Sequence, residues 1–366
     1  MLNILVYNRI AQYKYLFEMA KDCPPDTAIL FRNNDSALPL IDLFEKNGLP
    51  YNCRAFDGVF FSSRVINDIR DIINFAMDMK NGETFMRIYY KLGVRIPKEA
   101  AQEACRLSAK KGSEVLVELW KGTKLGKKTE EFVFDLIDNF REIPSDTAVG
   151  ALERIRYTMG YGKYVKRSKL DPAKLPILTM LARDIPNPLA LLERLDELRN
   201  IILNHKNSPD CPLTLSTIHS SKGLEYENVY LLDVLDGVLP LKPEGELAKG
   251  EIKNYQEERR IFYVGMTRAR QGLNMFSVSG EAGSFVSEVR KILNPEGDKK
   301  PRILNPFAWE KEKTPVGEFK EGERVRHKFF GTGLVTAVSG DLVSVCFDET
   351  GETKRFYANA APMKKI

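Results

Sequence analysis

The chain has 366 residues, 43% hydrophobic and 29% charged, which is long enough for two or three packed domains and excludes disordered and collagen-like classes. Its formal net charge of +5 is compatible with a polyanionic partner, although so mild an excess is common among proteins that touch no nucleic acid. The five cysteines, Cys23, Cys53, Cys105, Cys211 and Cys346, form no CxxC pair and have no histidine at zinc-ligand spacing, so reduced thiols are expected, and no apolar run approaches the roughly 20 residues of a membrane span.

In chain order, short apolar runs first alternate with helical patterns: a strand at Ile4 to Tyr7, a helix near Tyr13 to Ala20, and a buried strand at Thr27 to Phe31. That alternation predicts a parallel α/β sheet. Ser36 to Asn47 places Leu40, Leu43 and Phe44 on one helical face and stops at Gly48; a second helix, Arg64 to Met79, follows the run Val59, Phe60 and Phe61. From Asn81 to about Asn207 the pattern is helix after helix, punctuated by glycines and prolines, with almost no strand signal. Strands resume with LTLSTI at Leu213, VYLLDV and, after a polar loop and a helix, LNMFSV. The predicted fold is therefore α/β: a parallel-sheet domain (1–80 and 209–293) interrupted by an all-helical insertion (81–208). A proline-rich, charged stretch at 294–317 reads as a linker. The last segment, 318–366, has the strand-and-turn punctuation of a small all-β barrel, with Gly331, Gly333, Gly340 and Gly351 where tight turns are needed.

Two stretches carry chemistry. LTLSTIHSSKGLEYENVYLLD, from Leu213, reads as strand, polar loop and strand. Thr217, His219, Ser220, Ser221 and Lys222 gather hydroxyls, backbone N–H groups and a cation after a buried strand, which suits phosphate oxygens and equally describes a solvated loop. EERRIFYVGMTRARQG, residues 257 to 272, reads as one helix with Ile261, Val264 and Met266 toward a core and Arg259, Arg260, Arg268 and Arg270 available. A guanidinium can stabilise charge on a transferring phosphoryl group, while on charge alone a solvated helix laced with Glu–Arg pairs is the better description.

Together, TIHSSKGLEY and EERRIFYVGMTRA resemble motifs V and VI of the UvrD/Rep/PcrA helicases of superfamily 1, and AILFRNNDSALPLIDLFEKNGLPY resembles motif IV. The resemblance implies the C-terminal half of an ATP-dependent 3′ to 5′ DNA helicase: a second RecA-like domain holding the family's mobile helical subdomain, which is shorter here than expected. It implies that Arg32 and Arg268 reach the γ-phosphate, that Glu225 contacts the nucleotide's sugar, and that Thr217, His219 and Lys222 face single-stranded DNA. Glu225 also reads as an exposed loop carboxylate, and His219 as a structural histidine. FKEGERVRHKFFGTGLVTAVSGDLVSVCFDETGETKRFY resembles the family's Tudor-like C-terminal module, which implies docking onto RNA polymerase; Arg326, His327, Lys328, Phe329 and Phe330 equally suit nucleic acid or the lining of a small barrel. A bacterial cytoplasmic location is expected.

The departures are specific. Ala37 stands where the family places a second motif IV arginine. GVFFSSRVINDIRDI resembles the aromatic-rich motif that follows, with Ser62 and Ser63 in place of a more charged pair, so Phe60, Phe61 and Arg64 are read as structural. No GxxxxGK[ST] stretch and no strand ending in Asp-Glu occurs, so the cradle for phosphates and Mg²⁺ is expected from an N-terminal RecA-like domain. Met1 is accordingly expected to mark a shortened chain or a divided gene, inactive alone. The rival expectation is a helicase-derived adaptor that binds RNA polymerase or DNA without motor activity; a helicase–nuclease subunit is disfavoured because the tail offers no carboxylate-rich core.

Overall fold

A computed structural model describes residues 2–6, 8–242, 250–279, 283–293, 319–327, 331–339, 342–348, 351, 353–357 and 363–366. Contacts group the chain into two units, 1–304 and 305–366. In the first unit six strands form one sheet: β1 (Leu2–Val6), β2 (Thr27–Phe31), β3 (Asn52–Arg54), β4 (Leu213–Thr217), β5 (Tyr226–Leu231) and β6 (Ala269–Val278). Their spatial order is β1-β6-β5-β2-β4-β3 and every pair is parallel, as the alternation of strands and helices predicts. β2 lies at the centre, with Thr27 opposite both Leu213 and Asn228. All five of its residues are buried, which explains why it reads as an unbroken apolar run. β3 was not expected; three residues are too few to show a period.

Helix α1 (Arg9–Ala20) returns the chain from β1 to β2. Helix α2 (Asn34–Asn47) starts where the Asn33 side chain accepts from the Ser36 N–H and ends at Gly48, whose φ of +64° favours glycine. After β3 come α3 (Val59–Ser62), α4 (Arg64–Met77), α5 (Gly82–Ile88), α6 (Lys98–Lys111), α7 (Val115–Gly122), α8 (Lys127–Glu142), α9 (Ala148–Glu153), a π turn (Arg154–Thr158), α10 (Tyr161–Arg167), α11 (Lys174–Leu181) and α12 (Pro188–Asn204). No strand interrupts them. Phe75, Phe85, Phe140 and Tyr161 are fully buried in this helical part, Phe75 meeting Phe140 edge-on at 5.0 Å. Gly160 fixes its packing: φ is +79°, and a Cβ there would stand 2.5 Å from the Gly93 Cα.

The stretch read as one helix from 257 to 272 is two elements. Helix α13 (Ile252–Met266) ends before Thr267, and β6 begins at Ala269. Backbone pairing to β5 at Tyr226–Ala269 and to β1 further along outweighs helical periodicity there. Within α13 the expected core face holds: Ile261, Val264 and Met266 pack on a cluster containing Ile218, Val229, Leu231, Tyr255 and Phe262. Helix α14 (Ser284–Leu293) closes the described part of this unit.

The second unit is an antiparallel sheet of β7 (Arg324–His327), β8 (Gly331–Ser339), β9 (Leu342–Phe347), β10 (Thr353–Tyr357) and β11 (Met363–Lys365), ordered β10-β9-β8-β7-β11. Val325, Val335, Val343, Val345 and Phe347 form its core. Among the described residues β10 and β11 each pair with one neighbour, so the pairings define a sheet. The expected linker at 294–317 and residues Lys328, Phe329 and Phe330 lie outside the described residues.

Candidate functional site

In a parallel sheet, loops at the carboxyl ends of the strands form the usual ligand-binding edge. Here the candidate residues fall on both edges. Arg32 follows β2, and Thr217 ends β4, so these belong to the carboxyl edge. Residues 218–225 then cross the sheet and start β5 at the opposite, amino edge, where Glu225, Arg268 and Arg270 stand. Eight residues is short for a parallel crossover, which commonly takes a dozen or more. Turns make it compact: the Ser221 N–H donates to the Thr217 carbonyl at 3.1 Å and the Lys222 N–H to the His219 carbonyl at 3.2 Å.

The hydroxyls of this loop are spent internally. Thr217 Oγ1 bonds Ser220 Oγ at 2.8 Å and accepts from the Ser220 N–H at 3.0 Å, and Ser221 Oγ donates to the Ile218 carbonyl at 2.8 Å. Thr217 thus shapes the turn. His219 and Lys222, three apart, are exposed, and neither side chain has a hydrogen-bond or ion-pair partner among the described residues. They are the members of this loop available to an external anion.

Arg32 is held by Glu258 of α13. Its Nη2 donates to Oε1 at 2.9 Å and its Nε lies 3.2 Å from each carboxylate oxygen. The Glu258 side chain is 9% exposed and Arg32's is 31% exposed, leaving one side of the guanidinium open. Glu258 was missed from the sequence, yet it carried a signal: it falls within the buried stripe Tyr255, Glu258, Phe262, Gly265, where a charge needs a partner.

At the amino edge Arg268 ties the end of α13 to the crossover loop. Its Nε donates to the Val264 carbonyl at 2.9 Å, Nη1 to the Leu224 carbonyl at 2.7 Å, and Nη2 to Thr267 Oγ1 at 3.0 Å. The Tyr226 N–H returns a bond to the Arg268 carbonyl at 2.8 Å. A guanidinium has five N–H groups, so two remain for an external oxygen. Glu225 accepts from Arg270 Nε at 3.1 Å, both side chains more than half exposed. The hydrogen bond to Glu225 raises the Arg270 pKa, and the neighbouring carboxylates add to the effect.

Arg32 and Arg268 stand at opposite edges of the sheet. Glu258 and Val264, which hold the two guanidiniums, are six residues apart on α13, about 9 Å along its axis and on different faces. A second carboxyl-edge cluster was also unforeseen. Asp233, fully buried after β5 with φ +58°, accepts from Arg9 through Nε (2.8 Å) and Nη2, from Gln12 Nε2 (2.8 Å) and from Tyr13 OH (3.2 Å). Burial first, and then the Asp233 charge, push the Tyr13 hydroxyl well above its usual pKa. No sequence spacing links Asp233 to Arg9; only the β1-β6-β5 order does.

No group of three metal-ligating side chains occurs among the described residues, and no helix there is long and apolar enough to cross a membrane. The arrangement therefore offers guanidinium donors and an exposed carboxylate at one edge and exposed cationic or imidazole groups at the other.

A family model described as the UvrD-like helicase C-terminal domain matches residues 5–280, well over half of the chain. The chain belongs to the UvrD-like helicase C-terminal family. It is 26% identical over 290 residues to the ATP-dependent DNA helicase Rep of Buchnera aphidicola subsp. Schizaphis graminum, covering 73% of this chain and 42% of that protein. It is 25% identical over 406 aligned positions to the ATP-dependent DNA helicase PcrA of Bacillus subtilis, covering 93% of this chain and 52% of that protein. DNA helicase II of Escherichia coli is 30% identical over 140 residues, 34% of this chain and 19% of its own length. The chain thus spans about half the length, or less, of these relatives.

Proposed function

We propose that the chain supplies the C-terminal motor half of an ATP-dependent 3′ to 5′ DNA helicase or translocase. The observation that carries this is the division of one parallel sheet into two equipped edges, joined both by α13 and by the crossover loop. The amino edge, with Arg268 and Glu225, faces nucleotide; the carboxyl edge, with Arg32, Thr217, His219 and Lys222, faces single-stranded DNA. Arg32 moves to the DNA side on this reading because Glu258 holds it there, away from Arg268.

The residues present fit a nucleoside triphosphate in part. Arg268 keeps two N–H groups for developing phosphoryl charge, and Glu225 can exchange Arg270 for a sugar hydroxyl. Bound ATP with Mg²⁺ supplies the hydrolysable phosphoanhydride. Because the 366 residues contain no GxxxxGK[ST] stretch, the phosphate cradle must come from an N-terminal RecA-like domain, with this chain as the second. The 305–366 unit is the Tudor-like module and docks onto RNA polymerase, and the setting is the bacterial cytoplasm.

The test is complementation. The chain alone should show negligible DNA-stimulated ATP turnover, and mixing it with a separately expressed P-loop domain should restore some. Turnover by the chain alone would sink the half-site reading. The absence of a phosphate cradle also favours an adaptor without motor activity; that reading wins if the chain binds DNA or RNA polymerase while no P-loop partner rescues hydrolysis.

A further inference from the structure

We infer that Lys174, on the helical insertion, is a positioning residue for Arg32 and fixes the turn from which Arg32 reaches single-stranded DNA. The inference rests on the helicase reading for the role of Arg32 and goes beyond it in giving the insertion a part in setting that residue. Arg32 follows β2, Asn33 caps α2, and Asp35 lies in the first turn of that helix. Asp35 accepts from Lys174 Nζ, at the start of α11 and 139 residues later, and the two side chains are only 15% and 13% exposed.

The surroundings of the pair show why it holds the turn. Lys174 Nζ also lies 3.8 Å from Asp171 and 5.5 Å over the centre of the Phe60 ring, so the ammonium sits among carboxylates and an aromatic face. Burial raises the Asp35 carboxyl above its ordinary range, and the Lys174 hydrogen bond and charge oppose that rise. Without Lys174 the carboxylate loses its partner in a largely buried place, and the turn must shift to bring it to water. That shift is local. Two turns along α2, Asp42 is held by Arg194 of α12 and by Lys46, so the body of the helix stays docked. On its other side the first turn is tied to α1, where Tyr13 OH donates to the Ser36 carbonyl at 2.9 Å. Glu258 grips the Arg32 guanidinium and leaves one side of it open, while Lys174 grips the turn that carries it. Head and base of one side chain are thus fixed separately, and the direction of the open side depends on the base.

The test is fluorescence anisotropy of the full chain on a labelled single-stranded oligonucleotide at low salt. Asp35→Asn combined with Lys174→Met removes both charges, so it strands neither and leaves the net charge unchanged. It should weaken binding about three- to ten-fold, a part of the roughly ten-fold or more that losing a charged hydrogen bond outright costs in Arg32→Ala. Arg70→Gln combined with Asp196→Asn removes another ion pair, between α4 and α12, and should bind like the parent. The decisive readout is the Arg32→Ala background, where removing the Asp35–Lys174 pair should cause no further loss. Should the double variant not fold at the assay temperature, Lys174→Gln, which keeps a donor for Asp35, is read in the same way. If the pair variant binds like the parent, if its loss persists in the Arg32→Ala background, or if the α4–α12 variant loses as much, the inference is overturned and the helicase reading stands. If Arg32→Ala binds like the parent, the placement of Arg32 on the DNA side falls and the inference with it; if the parent binds no single strand, both fall.

Discussion

Arg268 is the residue where stability and chemistry are most entangled, and its contacts let the two be separated. Arg268→Ala removes three hydrogen bonds, two of them to the Val264 and Leu224 carbonyls that join α13 to the crossover loop. A bond from a charged donor contributes about 1.5–3 kcal/mol when buried; the bond to the adjacent Thr267 is local and the site is only part-buried, so the net loss should be about 2–4 kcal/mol. At this chain length that lowers Tm by roughly 2 °C per kcal/mol. Arg268→Lys keeps the charge but satisfies at most one carbonyl well, so about half the loss is expected. Arg270→Ala is the internal control: its partners Glu225 and Glu227 lie at 3.1 and 3.7 Å on an exposed, solvent-screened surface, so this variant should melt with the parent. Thermal denaturation followed by circular dichroism reads this part. With a phosphate-binding half added, Arg268→Lys should also cut ATP turnover at least ten-fold at a temperature where the protein remains folded, equivalent to about 1.4 kcal/mol of transition-state stabilisation. If Arg268→Ala melts with the parent, the clamp is not part of the folded state. If Arg268→Lys loses turnover only as far as it unfolds, Arg268 is structural alone.

Other consequences can be checked more briefly. Asp233→Ala should cost about 3–5 kcal/mol by chemical denaturation, because it strands Arg9 beside a buried site, whereas Tyr13→Phe should cost about 1 kcal/mol. Gly160→Ala, which would drive a Cβ into the Gly93 backbone, should destabilise by about 3 kcal/mol or more, against about 1 kcal/mol for Gly48→Ala, where φ is also positive but the space is open. Burial, with Glu45 adding, pushes the Cys53 thiol from 9.0 up to about 12. The folded state therefore favours the neutral thiol, and stability should fall as pH rises from about 9 toward 12; Cys53→Ala should flatten that decline, and an unchanged slope would count against it.

How legible the sequence was depended on whether the signal was local. β2 and α2 could be read almost residue for residue because five apolar residues in a row and a glycine stop are properties of adjacent residues. The helix through Gly272 was misread because Thr267 to Gly272 has no local mark against a helix; what makes Ala269 a strand residue is its place beside Tyr226, forty-three positions earlier. Partners were the least visible layer. Glu258 opposite Arg32, and Asp233 opposite Arg9, are separated by more than 220 residues, and only the strand order brings them together.

That same order gives α13 a particular mechanical position on the helicase reading. It runs from Glu258, which grips Arg32 at the carboxyl edge, to Val264 and Thr267, which grip Arg268 at the amino edge. Between them Gly265 lets the helix lie against Ile218 and Leu231, close enough that a Cβ would stand 3.2 Å from each. Ile218 opens the crossover loop, and Leu224 near its end accepts from Arg268. The loop and the helix therefore join the same two edges and touch at Ile218 against Gly265 and at Leu224 with Arg268. A shift of Arg268 toward a phosphate must either break its bond to Leu224 or drag the loop with it, and the loop carries His219 and Lys222. Close packing makes the second course the cheaper one, since interiors transmit small displacements better than they absorb them. On the reading proposed above, nucleotide state and DNA grip would be coupled through the bond between Arg268 and the Leu224 carbonyl, and a variant that loses this bond would uncouple them.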